Sequence, residues 1–117
     1  MKPDYITDTD WQLLKEKYSN HMDYVLEKLN EDYPVQYLIG TVPFLNTEIK
    51  VDNRALIPRF ETEYLVSKII DKFKKERNLK IIELGTGSGC IAIALKKNLS
   101  CQLTTVDISK LALELAK

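Results

Sequence analysis

The sequence predicts an α/β fold: a short helical amino-terminal segment, a β-hairpin, and then the opening of a parallel β-α-β sheet. Three observations carry this expectation. Apolar residues recur at helical spacing over the first thirty or so positions. Two short apolar runs around Asn46-Thr47 follow, the pattern of a hairpin. Last, the run Ile81-Ile82-Glu83-Leu84 enters the glycine-rich turn Gly85-Thr86-Gly87-Ser88-Gly89, with a second apolar run, Leu103 to Val106, ending on Asp107. Glycines let the backbone turn sharply and approach a ligand closely. A carboxylate at the tip of the second strand is placed to accept hydrogen bonds from ribose hydroxyls, at the ~20-residue spacing that nucleotide-binding units use.

In chain order, residues 8–33 read as two helices. Trp11, Leu14 and Tyr18 make one apolar stripe and Val25, Leu26 and Leu29 a second. Thr7 or Asp8 is the expected cap, Ser19-Asn20 the break, and Tyr33-Pro34 the end, because proline disfavours helix before it. Packing of aromatics inward accounts for this region without a ligand. In residues 35–59, Val42, Phe44, Leu45, Ile49 and Val51 flank the turn, Gly40 and Pro43 mark its entry, and Leu56-Ile57-Pro58 leads into a loop. Thr62 is the expected cap of a helix over 63–76. Its apolar face combines Leu65, Ile69 and Phe73 with Val66 and Ile70. Lys72, Lys74, Lys75 and Arg77 near its end suit the helix dipole as a solvated turn. Helices are expected over 90–98 and 109–117. The expected division is 1–34 (helical), 35–59 (hairpin linker) and 60–117 (cofactor-binding type, incomplete).

Composition narrows the function. The 117 residues carry 17 basic and 17 acidic side chains, so no global field favours nucleic acid or a membrane surface. No run of eighteen apolar residues exists for a transmembrane helix, and the polar amino terminus lacks a signal-peptide core. The expectation is a cytoplasmic protein with free thiols at Cys90 and Cys101. Those two cysteines and a lone His21 give no metal site. The glycine register also discriminates. A dinucleotide fingerprint wants a third glycine where Cys90 stands, and a P-loop wants Lys-Ser/Thr where Cys90-Ile91 stand.

Glu83-Leu-Gly-Thr-Gly-Ser-Gly89 followed by Val106-Asp-Ile-Ser109 instead resembles the cofactor motifs of class I S-adenosylmethionine methyltransferases. Two further stretches narrow the resemblance: Pro34-Val-Gln-Tyr-Leu-Ile-Gly40 with Phe44, and Leu56-Ile-Pro-Arg-Phe-Glu-Thr-Glu63. In this order they closely resemble the HemK/PrmC family, the peptide chain release factor glutamine methyltransferases, over roughly residues 34–117. The resemblance implies a Rossmann-like domain of seven strands, of which this chain carries the first two. It implies methyl transfer from S-adenosylmethionine to the side-chain amide of the glutamine in a Gly-Gly-Gln loop of a release factor. It assigns Gly85, Thr86, Gly87, Ser88 and Gly89 to the cofactor loop, Asp107 to the ribose, and Glu83 to the methionine end of the cofactor. Arg59 and Glu61 fall beside the active site, where they either shape the pocket or pair with each other. Ser88 serves equally well as a helix cap, and Tyr37, Phe44 and Cys90 read as packing residues.

Departures bear on activity. The family's Asn-Pro-Pro-Tyr motif is absent from these residues, so no catalytic residue is assigned and the chain is expected to be a truncated, inactive portion of the enzyme. Phe60 stands where the family usually has proline, and the segment before Pro34 is shorter than usual. The alternative is a non-catalytic interaction module whose exposed strand edges are covered by self-association.

Overall fold

The computed structural model describes residues 1–117, which form two compact units, Met1–Gly40 and Thr41–Lys117. The first unit is helical: α1 (Asp8–Tyr18), a 3-10 turn (Ser19–His21), α2 (Met22–Asn30) and α3 (Val35–Ile39). Thr7 caps α1, its hydroxyl accepting from the Asp10 N–H at 3.1 Å, and the predicted break at Ser19-Asn20 is the 3-10 turn. Ile6, Leu14, Val25, Leu29 and Leu38 form the core, with Trp11 and Tyr18 packed against it.

Helix α2 stops at Asn30, earlier than the proline rule alone predicts. Asp32 takes a left-handed conformation (φ 58°). The Tyr33 N–H then bonds the Lys28 carbonyl at 3.0 Å and the Asp32 N–H bonds that of Leu29 at 3.2 Å. This is a Schellman closure, with an aspartate where glycine is usual. Val35–Ile39 is helical, whereas the sequence reading placed the approach to a hairpin there. Pro34, read as a stop, is also the N-cap of this single turn, since proline is tolerated where a helix begins. Gly40 closes it at φ 93°. The last carbonyls of α3 find donors on α1: Tyr18 Oη reaches Leu38 O at 2.8 Å, and Lys17 Nζ reaches Leu38 O and Ile39 O at 3.0 Å each.

The second unit opens with the antiparallel hairpin β1 (Thr41–Phe44) and β2 (Thr47–Lys50), in register Val42 to Ile49. Val42, Phe44, Ile49 and Val51 are buried while Pro43, Glu48 and Lys50 are exposed, the alternation of a strand pair with one covered face. The turn residues are Leu45-Asn46, one position earlier than predicted, and Leu45 holds a positive φ of 51°. Its N–H donates to Glu63 Oε1 at 2.9 Å, and the Asn46 and Asn98 side-chain amides pair at 3.0 and 2.9 Å. Those contacts fix a turn that the local sequence leaves unmarked.

Helix α4 (Phe60–Phe73) starts earlier than predicted, with Arg59 at its N-cap and no side-chain cap. Thr62 and Glu63 instead donate backbone N–H groups to the Arg59 carbonyl. Val66 is fully buried, but Leu65, expected on the apolar face, is mostly exposed. Strands β3 (Leu79–Leu84) and β4 (Cys101–Val106) pair in parallel, from Leu79 opposite Cys101 to Leu84 opposite Val106. Helix α5 (Cys90–Asn98) makes the crossover between them, and α6 (Lys110–Ala116) follows β4, giving the β-α-β unit that parallel pairing requires. One sheet face is half-buried, through Ile81, Leu103 and Thr105. The other is open, with Ile82 73 %, Leu84 79 % and Val106 47 % exposed. The architecture is therefore mixed α/β, a hairpin sheet beside a parallel two-stranded sheet. No helix is long and apolar enough to cross a membrane.

Leu14 is completely buried at the centre of the helical unit. Leu14→Ala is expected to cost about 2–5 kcal/mol, read as a lower urea midpoint followed by Trp11 fluorescence. An unchanged midpoint would mean the helical unit is not packed as described.

Candidate functional site

Both parallel strands end at the same level, and the chain turns there without leaving the sheet. The N–H groups of Gly85 and Thr86 both donate to the Val106 carbonyl, at 2.8 and 3.0 Å. The glycine loop therefore starts while still attached to the end of β4. Gly85 (φ 78°), Gly87 (φ 54°) and Gly89 (φ 85°) all take positive φ, which side chains disfavour. At Gly89 a Cβ would lie 3.1 Å from the Ala116 Cβ, so that glycine also serves close packing onto α6. At Gly85 and Gly87 a Cβ would meet nothing within 4 Å, leaving bare backbone beside open space.

Asp107 follows β4 directly and ties this loop together. Its Oδ2 accepts the Gly87 N–H at 2.9 Å and its Oδ1 accepts the Ser109 N–H at 2.8 Å. Those backbone donors, Ser109 first and then Gly87, hold its carboxyl below the ordinary carboxylate range. Each oxygen keeps acceptor capacity beyond the single bond it makes. Ser109 in turn caps α6, its hydroxyl accepting from Ala112 N at 3.2 Å. Ser88 does not cap α5; that position belongs to Gly89, which has no side chain to offer. Ser88 and Thr86 are buried polar residues, and the Thr86 hydroxyl has no hydrogen-bond partner.

Gly85, Thr86, Gly87, Ser88 and Asp107 line one open cleft of about 370 Å³. Its opposite wall is the segment Arg54–Pro58 between β2 and α4, with Cys90 and Ile91 of the α5 start and Ser109 and Ala112 of the α6 start completing the lining. Arg54 is the sole cationic side chain in this lining and Asp107 the sole anionic one. Arg59 and Glu61, the other residues expected beside the pocket, are exposed at the start of α4 and do not line the cleft. They also form no ion pair with each other. Sequence reasoning overlooked Arg54–Pro58 as a wall. The available signal was the apolar Leu56-Ile57-Pro58 placed in a loop, where such residues need something to lie against.

Glu83 lies outside the cleft. It lines an apolar cavity of about 380 Å³ with Ile69, Phe73, Ile81 and Leu95. Both of its carboxylate oxygens are shielded from solvent without a hydrogen-bond partner. Burial pushes this carboxyl above its ordinary value and the Asp107 charge adds to the effect. The Thr86 hydroxyl opposes the shift, although it makes no hydrogen bond of normal geometry. Burial likewise pushes the Cys90 thiol up.

A parallel strand pair thus runs into bare glycine backbone beside a fixed carboxylate at the second strand tip, on an α/β domain. Residues 61–117 match the family described as "Methyltransferase small domain". The chain is 40 % identical over 115 residues to a "Release factor glutamine methyltransferase" of Streptococcus pneumoniae, covering 97 % of this chain and 41 % of that protein. It is 44 % identical over 114 residues to the protein of that name in Lactococcus lactis, covering 95 % and 38 %. Against that of Flavobacterium psychrophilum it is 45 % identical over 97 residues, covering 80 % and 34 %. The chain belongs to the release factor glutamine methyltransferase family, the HemK/PrmC family, and spans about two-fifths or less of the length of these relatives.

A carboxyl with a raised native pKa favours folding most while protonated, and that contribution is lost as pH rises through the native value. Glu83 is such a group, with an ordinary value of 4.5. Glu83→Gln removes the buried charge, so its stability relative to the parent chain is expected to increase from pH 4.5 upward and then level off. Urea midpoints across that range measure it. A difference that does not vary with pH would contradict the account.

Proposed function

We propose that the whole protein to which these residues belong methylates the glutamine side-chain amide in the Gly-Gly-Gln loop of a peptide chain release factor, and that the cleft beside Gly85–Ser88 holds its S-adenosylmethionine. One observation supports the cofactor assignment above the others: Gly85 and Gly87 present backbone to open space while Asp107 fixes the Gly87 N–H from behind. A ligand with a ribose and an amino-acid tail fits that donor set. Asp107 would accept the ribose hydroxyls on lone pairs left free by Gly87 and Ser109. The loop backbone at Gly85 and Gly87 would allow close approach. Glu83 would act from behind the loop, at the methionine end. When bound, the cofactor supplies an electrophilic methyl group on a sulfonium.

An amide nitrogen is a weak nucleophile because its lone pair is delocalised into the carbonyl. Orientation and fixed hydrogen bonds must therefore carry the reaction, with no covalent intermediate on the protein. These 117 residues hold no Asn-Pro-Pro-Tyr sequence, the element that orients the amide in the family, and we propose that they bind cofactor without turning over substrate. Asp107→Ala is expected to weaken S-adenosylhomocysteine binding roughly 10- to 100-fold by calorimetry, the range for losing a charged hydrogen-bond partner. Unchanged affinity would rule Asp107 out as a ligand.

A second reading rests on the open sheet face. Ile82, Leu84 and Val106 form an exposed apolar row of the kind that drives association, and the free strand edges add unpaired donors. The isolated chain is then expected to self-associate in sedimentation experiments, and Ile82→Lys to shift it to monomer. A monomer at every concentration would remove this reading.

A further inference from the structure

We infer that Asp52 is a positioning residue for the cleft: through Arg54 it sets the course of the segment that forms the wall opposite the glycine loop. The inference rests on the cofactor reading above for its functional consequence, though not for its geometry. Val51 is buried at the end of the hairpin and Arg59 is the N-cap of α4, so residues 52–58 span two fixed points. Within that span the Asp52 carboxylate gathers three donors of Arg54. Oδ1 accepts the backbone N–H at 2.9 Å and Nε at 2.9 Å, while Oδ2 accepts Nη2 at 2.6 Å and a second contact from Nε at 3.0 Å. The Asp52 carbonyl also accepts the Ala55 N–H at 3.3 Å. The backbone contact is an Asx turn, and the guanidinium contacts make a two-pronged fork onto the same carboxylate.

Such a pair is not explained by global stability. Its side chains are 33 % and 37 % exposed, and ion pairs in that setting contribute little to folding. What the bracket does is local. It fixes the backbone direction out of residue 54, and the next four residues, Ala55–Pro58, line the cleft. It also holds the one cation of the lining in place.

The test compares Asp52→Ala, Asp52→Asn and the parent 117-residue chain, titrated with S-adenosylhomocysteine and followed by amide-correlation NMR and thermal unfolding. Asp52→Ala is expected to weaken binding about tenfold, the effect of losing one such set of hydrogen bonds, with an unchanged unfolding midpoint. Asp52→Asn keeps the acceptor for the Arg54 N–H and is expected to recover most of that affinity. Equal affinity in the parent and Asp52→Ala chains would overturn the inference. So would a loss that tracks a falling midpoint, since that is general destabilisation. If the parent chain itself does not bind, the cofactor reading fails, and the Asp52 inference is decided without ligand. Amide shifts at Ile57 and Gly85–Ser88 on Asp52→Ala support it, and their absence overturns it.

Discussion

The carboxylate of Asp107 is the constraint on which the rest of the site depends. It is bonded forward to Ser109 and back to Gly87, so it joins the two loops that leave the sheet at the same level. The Val106 carbonyl, accepting from Gly85 and Thr86, makes the same junction in the backbone. A glycine-rich loop alone has more conformational freedom to lose than any other segment. Here hydrogen bonds have already removed that freedom, which under the proposed cofactor reading lowers the ordering cost of binding. Because Ser109 both donates to Asp107 and caps α6, the start of that helix is tied to the same point.

The second constraint comes from the other side of the cleft. The hairpin tip is held by Glu63 of α4 and Asn98 of α5, and the Lys97 ammonium also reaches the Asn46 carbonyl. The hairpin thus runs between the far end of α5 and the cleft at its near end, carrying residues 52–58 with it. This arrangement gives the hairpin a role beyond linking two parts of the chain: it carries the wall. The open face of the parallel sheet is the counterpart of that order. Ile82, Leu84 and Val106 have nothing over them, in a chain that spans about two-fifths or less of its relatives.

The elements governed by local chemistry were legible in the sequence. The apolar run into Gly85, the helix over 90–98 and the acid after Val106 follow from periodicity and glycine placement, and the structure has them where expected. The Thr7 cap and the break at Ser19-Asn20 are of the same kind. What escaped depends on contacts distant in sequence. The left-handed Leu45 rests on Glu63, eighteen residues away. The turn of helix at Val35–Ile39 rests on donors from Lys17 and Tyr18. Arg54–Pro58 is a loop as its sequence indicates, and its apolar residues hint at a covered surface, but which surface it faces is set by residues distant in sequence. The Glu83 carboxylate lines the apolar cavity behind the loop, a placement set by which way one strand residue points and not marked in the sequence.

The most direct test of this account is an amide-correlation NMR spectrum of the 117-residue chain with and without S-adenosylhomocysteine. The account predicts dispersed peaks, with ligand-induced shifts concentrated at Gly85–Ser88, Asp107 and Ala55–Ile57 on the two walls of one cleft. A dispersed spectrum that does not respond to the ligand, or responds only at residues away from the cleft, would contradict it.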